Sequence, residues 1–126
     1  RTSLAVQREW KLDRAATHLA VSPESPHVAI SYEGTDQISL LASPQQATLT
    51  QASTTKTADR IRFLKNGSVL VVAQNATRDL TLVDTKTARV IVHLPLPLEP
   101  ENLCFSADGG QLFLTGKGLD AVVVVY

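Results

Sequence analysis

One pattern recurs three times along this chain, at a spacing of 42 residues and with no gap between copies. Val21, Phe63 and Phe105 hold one equivalent position, Val28, Leu70 and Leu112 the next, and Ile30, Val72 and Leu114 a third. Further along, Ile38 aligns with Leu80 and Val122, and Leu40 with Leu82 and Val124. Apolar columns that stay in register over three copies define a repeat architecture, in which each unit buries its apolar faces on its neighbours. Such a repeat constrains shape strongly and chemistry hardly at all.

The middle copy shows what one unit folds into. Residues 60–64 alternate apolar and polar, and Asn66-Gly67 then supplies a hairpin turn signal. Residues 69–73 form a short, nearly continuous apolar run, the mark of a strand covered on both faces. Residues 79–84 alternate again, 85–88 turn the chain, and 89–94 supply a fourth strand. Pro95, Pro97 and Pro100 are expected to stiffen a crossover into the next copy. No stretch sustains helical apolar periodicity for more than about one turn, which argues against helical repeats of similar period. The sequence therefore predicts an all-β fold made of β-propeller blades, three four-stranded antiparallel repeats arranged radially.

The copies are expected at 11–52, 53–94 and 95–126 within one partial propeller domain spanning 1–126. In the first copy strands are expected near 17–21, 26–32, 37–42 and 47–52, and in the third near 101–106, 111–115 and 120–126. The third copy lacks a fourth strand, and residues 4–10, two periods upstream of 88–94, form the displaced outer strand of 1–10. Propellers typically hold four to eight blades, so two arrangements fit. Two chains complete a six-bladed ring, each lending residues 4–10 to the other, or the chain is a piece of a longer one. The chain opens at Arg1 and contains no methionine, which is expected of a processed or trimmed start.

Phe105-Ser-Ala-Asp-Gly-Gly-Gln-Leu-Phe-Leu-Thr115, followed by Leu119-Asp-Ala-Val-Val-Val124, resembles the YVTN-type propeller repeat. Val83-Asp-Thr-Lys-Thr-Ala-Arg-Val-Ile91 is similar to the outer turn of that repeat, and Val21-Ser-Pro-Glu24 is a weaker copy of its first turn. Asp108-Gly109 and Asn66-Gly67 supply the turn chemistry. The resemblance implies a propeller and a prior that includes surface-layer proteins, lactonases and relatives of haem- and quinone-dependent oxidoreductase domains. It also implies, by analogy alone, a bacterial protein in the periplasm or outside the cell. The tryptophan-aspartate pair of WD40 repeats is absent, since the matching strands end Leu41-Ala42 and Val83-Asp84.

Charge narrows the partners. The chain balances 12 basic against 12 acidic residues, which removes the electrostatic argument for nucleic acid or an anionic membrane surface. Its longest apolar run, 121–126, is too short to cross a bilayer, so no transmembrane segment is expected. The single Cys104 excludes an internal disulfide and, between Leu103 and Phe105, is expected to be buried filler.

Functional groups of a propeller gather where the innermost strands begin. The period makes His18, Arg60 and Asn102 equivalent there, with Thr17, Asp59 and Glu101 one residue earlier. His18, Asp59, Arg60, Glu101 and Asn102 are the candidates for binding a polar ligand or an ion; the plainer expectation is that they line a solvated channel mouth. No metal site is expected, because His18, His27 and His93 fall at different strand positions without ligand spacing. Gly109-Gly110 is a hairpin turn rather than a phosphate loop, and no nucleophile elbow is present. No cofactor is expected; a haem would have only His18 as an axial candidate. Asn66-Gly-Ser68 and Asn75-Ala-Thr77 match the glycosylation sequon in loops, and the hydroxyl-rich 48–57 reads as an outer strand running into a flexible crossover.

The leading functional expectation is a non-catalytic scaffold for protein–protein interaction, with a protein partner or a second copy completing the ring. A lactonase- or oxidoreductase-like enzyme using the channel-mouth residues is the alternative. A lectin-like module is a third, with Trp10, Tyr32 and Tyr126 as the scarce aromatics it would use.

Overall fold

A computed structural model of the chain describes residues 5, 9–12, 14–41, 49–54, 57–64 and 67–126. Among them there is no helix, and eleven strands form three antiparallel sheets. The first sheet is β1 (Ala16–Val21), β2 (Val28–Tyr32), β3 (Gln37–Leu41) and β4 (Thr50–Ser53), in chain order. The second is β5 (Arg60–Phe63), β6 (Val69–Gln74), β7 (Asp79–Asp84) and β8 (Arg89–Pro95). The third holds β9 (Glu99–Phe105), β10 (Leu112–Lys117) and β11 (Leu119–Val125). Three such sheets, without a closed ring, are consistent with part of a propeller.

The period seen in the sequence returns as register. Val21 pairs with Val28, Phe63 with Leu70 and Phe105 with Leu112, one pair in each sheet. Likewise Val28 faces Leu41, Leu70 faces Val83 and Leu112 faces Val125. The turns repeat too: the amides of Ser22, Leu64 and Ser106 donate to the carbonyls of His27, Val69 and Gln111 at 3.0, 2.9 and 2.9 Å. Gly67 and Gly109 close two of these turns with φ of 76° and 75°, a left-handed conformation that L side chains avoid. At the outer turn, Asp84 Oδ1 accepts from the amides of Lys86 and Thr87, the Asx chemistry that Asp brings to turns.

Strand alternation sends residues to opposite faces. In the second sheet one face carries Ile61, Phe63, Leu70, Val72 and Val83, which pack with Ala29, Ile38 and Leu40 of the first sheet. Its other face carries Val71, Ala73 and Leu80, which pack with Leu103, Leu112 and Leu114 of the third. The middle sheet is therefore the filling between two cores, and β6 is buried almost throughout.

Polar groups inside two sheets also follow the period. Tyr32 Oη lies 2.7 Å from Ser39 Oγ, which donates to Gln51 Oε1 at 3.0 Å. In the next sheet Thr81 Oγ1 donates to Gln74 Oε1 at 2.7 Å and lies 2.8 Å from His93 Nδ1. Gly116 and Val123 stand at the corresponding positions of the third sheet, so no such chain of hydroxyls forms there.

Four expectations need correction. Pro95 ends β8 and Pro100 lies inside β9, so the crossover between them is only 96–98. β9 runs back this far because Gly116, opposite Pro100, has no side chain: a Cβ there would collide with the Glu99 carbonyl. Cys104 is exposed, since alternation turns Leu103 toward the middle sheet and Cys104 toward the uncovered side. Thr54, expected in a flexible crossover, is fully buried, and its amide donates to the Asp36 carbonyl at 2.9 Å. Finally, Ala5, Glu9 and Trp10 are not in a strand; the rest of the expected outer strand at 4–10 lies outside the described residues, as does Asn66.

Candidate functional site

β1, β5 and β9 are the first strands of their sheets, and β5 touches both of the others. Residues one period apart therefore meet. Arg60 Nη1 lies 2.8 Å from His18 Nε2, and Arg60 Nε donates to the Glu101 carbonyl at 3.1 Å. A second Nη1 hydrogen goes to the Asp59 carbonyl at 3.0 Å. One guanidinium thus ties three sheets together at the mouth. Guanidinium is always a donor, so His18 Nε2 accepts and the ring proton sits on Nδ1.

The pKa of His18 is lowered. Burial is the main cause and the Arg60 charge the next; Asp59 opposes them, and Arg62 adds a further lowering. Asp59 Oδ2 accepts from the Asn75 amide at 2.7 Å, which holds the β6–β7 turn against the start of β5. Asn75 Oδ1 is buried and has no hydrogen-bond partner among the described residues. A recess of about 280 Å³ opens here, lined by Thr17, His18, Glu33, Asp59, Arg60 and Asn75.

The expected set is only partly convergent. His18, Asp59 and Arg60 come together; Glu101 joins through its backbone carbonyl, while its carboxylate lies 4.0 Å from Lys117 Nζ. Asn102 is exposed and pairs with Thr115 across the sheet. Sequence reasoning missed Glu33 and Asn75, which reach the recess from hairpin turns, and Arg62, which shares the face of β5 that carries Arg60. Among the described residues no three His, Cys, Asp or Glu side chains gather as metal ligands. His27 is engaged elsewhere, its Nδ1 2.6 Å from Ser25 Oγ, and His93 is in β8.

Of the three aromatics of the lectin reading, Trp10 and Tyr32 share a second recess of about 490 Å³ with Glu9, Gln37, Ser39 and Gln51, while Tyr126 is exposed outside it. Tyr32 is buried there, with its hydroxyl committed to Ser39.

No family model matches the sequence, and no curated protein matches it. Solved structures do match in fold. Hydrazine synthase from Kuenenia stuttgartiensis superposes with a TM-score of 0.78 at 16% identity, over 98% of this chain and 36% of that one. A functionally unknown protein from Desulfotomaculum acetoxidans DSM 771 gives 0.67 at 15% identity, over 80% of this chain and 35% of that one. The likeness is one of fold, and the chain spans about a third of the length of these matches. Among the described residues no helix is long and apolar enough to cross a membrane.

Proposed function

We propose that the chain is a run of β-propeller blades serving as a non-catalytic interaction scaffold, whose two end faces take further sheets of the same kind. One observation carries this reading. The face of Ile61 and Phe63 packs on the first sheet, the equivalent face of Leu103 and Phe105 packs on the second, and the equivalent Leu19 and Val21 pack on nothing described. At the other end Val122 and Val124, equivalent to the covered Leu80 and Leu82, are exposed. The end faces thus match the two halves of an interface the molecule already makes twice. Apolar sheet faces left open in this way mark association sites. A second copy or further repeats of a longer chain would cover them, and the greater length of the solved matches supports the latter.

The YVTN-like turns support the same reading and an exported or surface-associated bacterial setting. Chemistry at the mouth supports a non-catalytic role: the Nε2 lone pair of His18 accepts from Arg60, so taking a proton there costs that hydrogen bond and places two positive charges side by side.

Cross-linking tests the scaffold reading. In a Cys104→Ser background, Val21→Cys with Val122→Cys should give intermolecular disulfides under mild oxidation. Either cysteine alone should give far less. Equal, weak cross-linking in all three variants would contradict head-to-tail pairing of these faces.

A further inference from the structure

We propose that the channel mouth at the starts of β1, β5 and β9 binds a small dianionic oxyanion, such as a short dicarboxylate, through Arg60 and Arg62. The donor count is the first support. Of the five hydrogens on a guanidinium, Arg60 spends one on Glu101 and two on Asp59 and His18, all through Nε and Nη1. Its Nη2 has no hydrogen bond among the described residues. Arg62 spends Nη1 on its neighbour's carbonyl, Ile61, at 3.0 Å, and is otherwise exposed.

Charge is the second support. Neither arginine has a carboxylate at ion-pair distance among the described residues. The carboxylates of the adjoining strand are directed elsewhere, Glu101 to Lys117 at 4.0 Å and Glu99 to Arg78 at 3.9 Å. Two carboxylates line the recess: Asp59, whose Oδ2 is held by the Asn75 amide, and Glu33, which sits on an exposed turn at the rim. Two guanidiniums at i and i+2 of one strand lie on the same face, and both bear on the His18 ring. Because β5 is the middle of three first strands, this corner is already enclosed on both sides.

Geometry is the third. Nη1 and Nε are pinned by the backbone carbonyls of Asp59 and Glu101, so Arg60 is oriented before any ligand arrives; it lines the recess of about 280 Å³, and Arg62 lies outside that lining, two residues along the same face of β5. Pre-oriented charge-assisted donors are what carboxylate and phosphate recognition requires.

The test is a titration of the whole chain, followed by NMR, with sodium malonate, inorganic phosphate and sodium chloride at equal ionic strength. Malonate or phosphate should move the Arg60 and Arg62 side-chain resonances saturably, and raise the titration midpoint of His18 by compensating the neighbouring positive charge. The tighter of the two identifies the class. Arg62→Gln, which disturbs no cross-sheet bond, should weaken binding about tenfold, the worth of one charge-assisted hydrogen bond. Arg60→Gln should abolish it with the β-sheet spectrum retained. Shifts no larger than those from chloride, a His18 midpoint that ignores both dianions, or undiminished binding by Arg62→Gln would each overturn the proposal.

Discussion

The middle sheet and the two end sheets carry the same apolar pattern, yet they live in different surroundings. Ile61 is 1% exposed, whereas Leu19, its equivalent in the first sheet, is 62% exposed. Leu80 is 1% exposed, whereas Val122, its equivalent in the third, is 60% exposed. Residue type does not account for the gap, because all four are large and aliphatic. Position in the array does: a sheet is buried on both faces only when it has a neighbour on both sides. Repeat proteins gain their stability through such nearest-neighbour interfaces, and here two complete interfaces are flanked by two open half-interfaces.

That comparison yields predictions of graded size. The largest effect belongs to the cores. Leu80→Ala should destabilise the chain by about 2–5 kcal/mol through lost burial and a cavity. Val122→Ala should change it by less than about 0.5 kcal/mol at concentrations low enough to keep the chain monomeric, where that face is open to water. Chemical denaturation of both variants checks the pair, and equal losses would show that the end face is covered in solution.

The turns come next. Gly67 and Gly34 both have positive φ, 76° and 72°, but a Cβ on Gly67 would run into Ser25 and Ser22 of the first sheet, while one on Gly34 meets nothing within 4 Å. Gly34→Ala should therefore cost about 1 kcal/mol, the left-handed backbone alone. Gly67→Ala should cost about 1 kcal/mol more, because the Ser25 and Ser22 hydroxyls must turn away and give up hydrogen bonds with each other and with His27. Thermal unfolding of the two variants separates intra-sheet strain from inter-sheet crowding.

The smallest effect is one of pH. Folding lowers the His18 pKa below its ordinary 6.5, chiefly by burial and then by Arg60. Between the lowered value and 6.5 the unfolded chain binds more protons, so stability rises with pH across that window and levels off above it. His18→Asn should flatten this slope, whereas Asn102→Ala, at the equivalent exposed position of the third sheet, should leave it unchanged. Stability curves taken from pH 5 to pH 8 decide it.

Much of the fold was legible because repeats encode themselves redundantly. The columns led by Val21, Val28 and Ile38 predicted strands whose observed bounds differ from expectation by a few residues at most. Spacing alone also brought His18 to Arg60, since residues one period apart on first strands become neighbours. What was not legible depends on contacts that no local pattern encodes. Pro100 reads as a strand breaker, yet its strand survives because Gly116 lies opposite and the register shifts there. Cys104 has apolar neighbours in sequence, but strand alternation places it on the face of β9 opposite Leu103, which no described residue covers. Asn75 and Glu33 reach the mouth from turns whose direction is set by packing. Arg62 alternates with Ile61 and Phe63 as any solvated strand residue does, so the sequence carries no sign of a site there.

The most direct measurement is the solution mass of this chain by light scattering on a sizing column, compared with a Val21→Asp/Val122→Asp variant. If the open faces are halves of the interface that the middle sheet completes, the parent chain will run above monomer mass. The double variant will then return to monomer with its fold intact. A parent chain that stays monomeric at high concentration and binds no apolar dye would contradict that account.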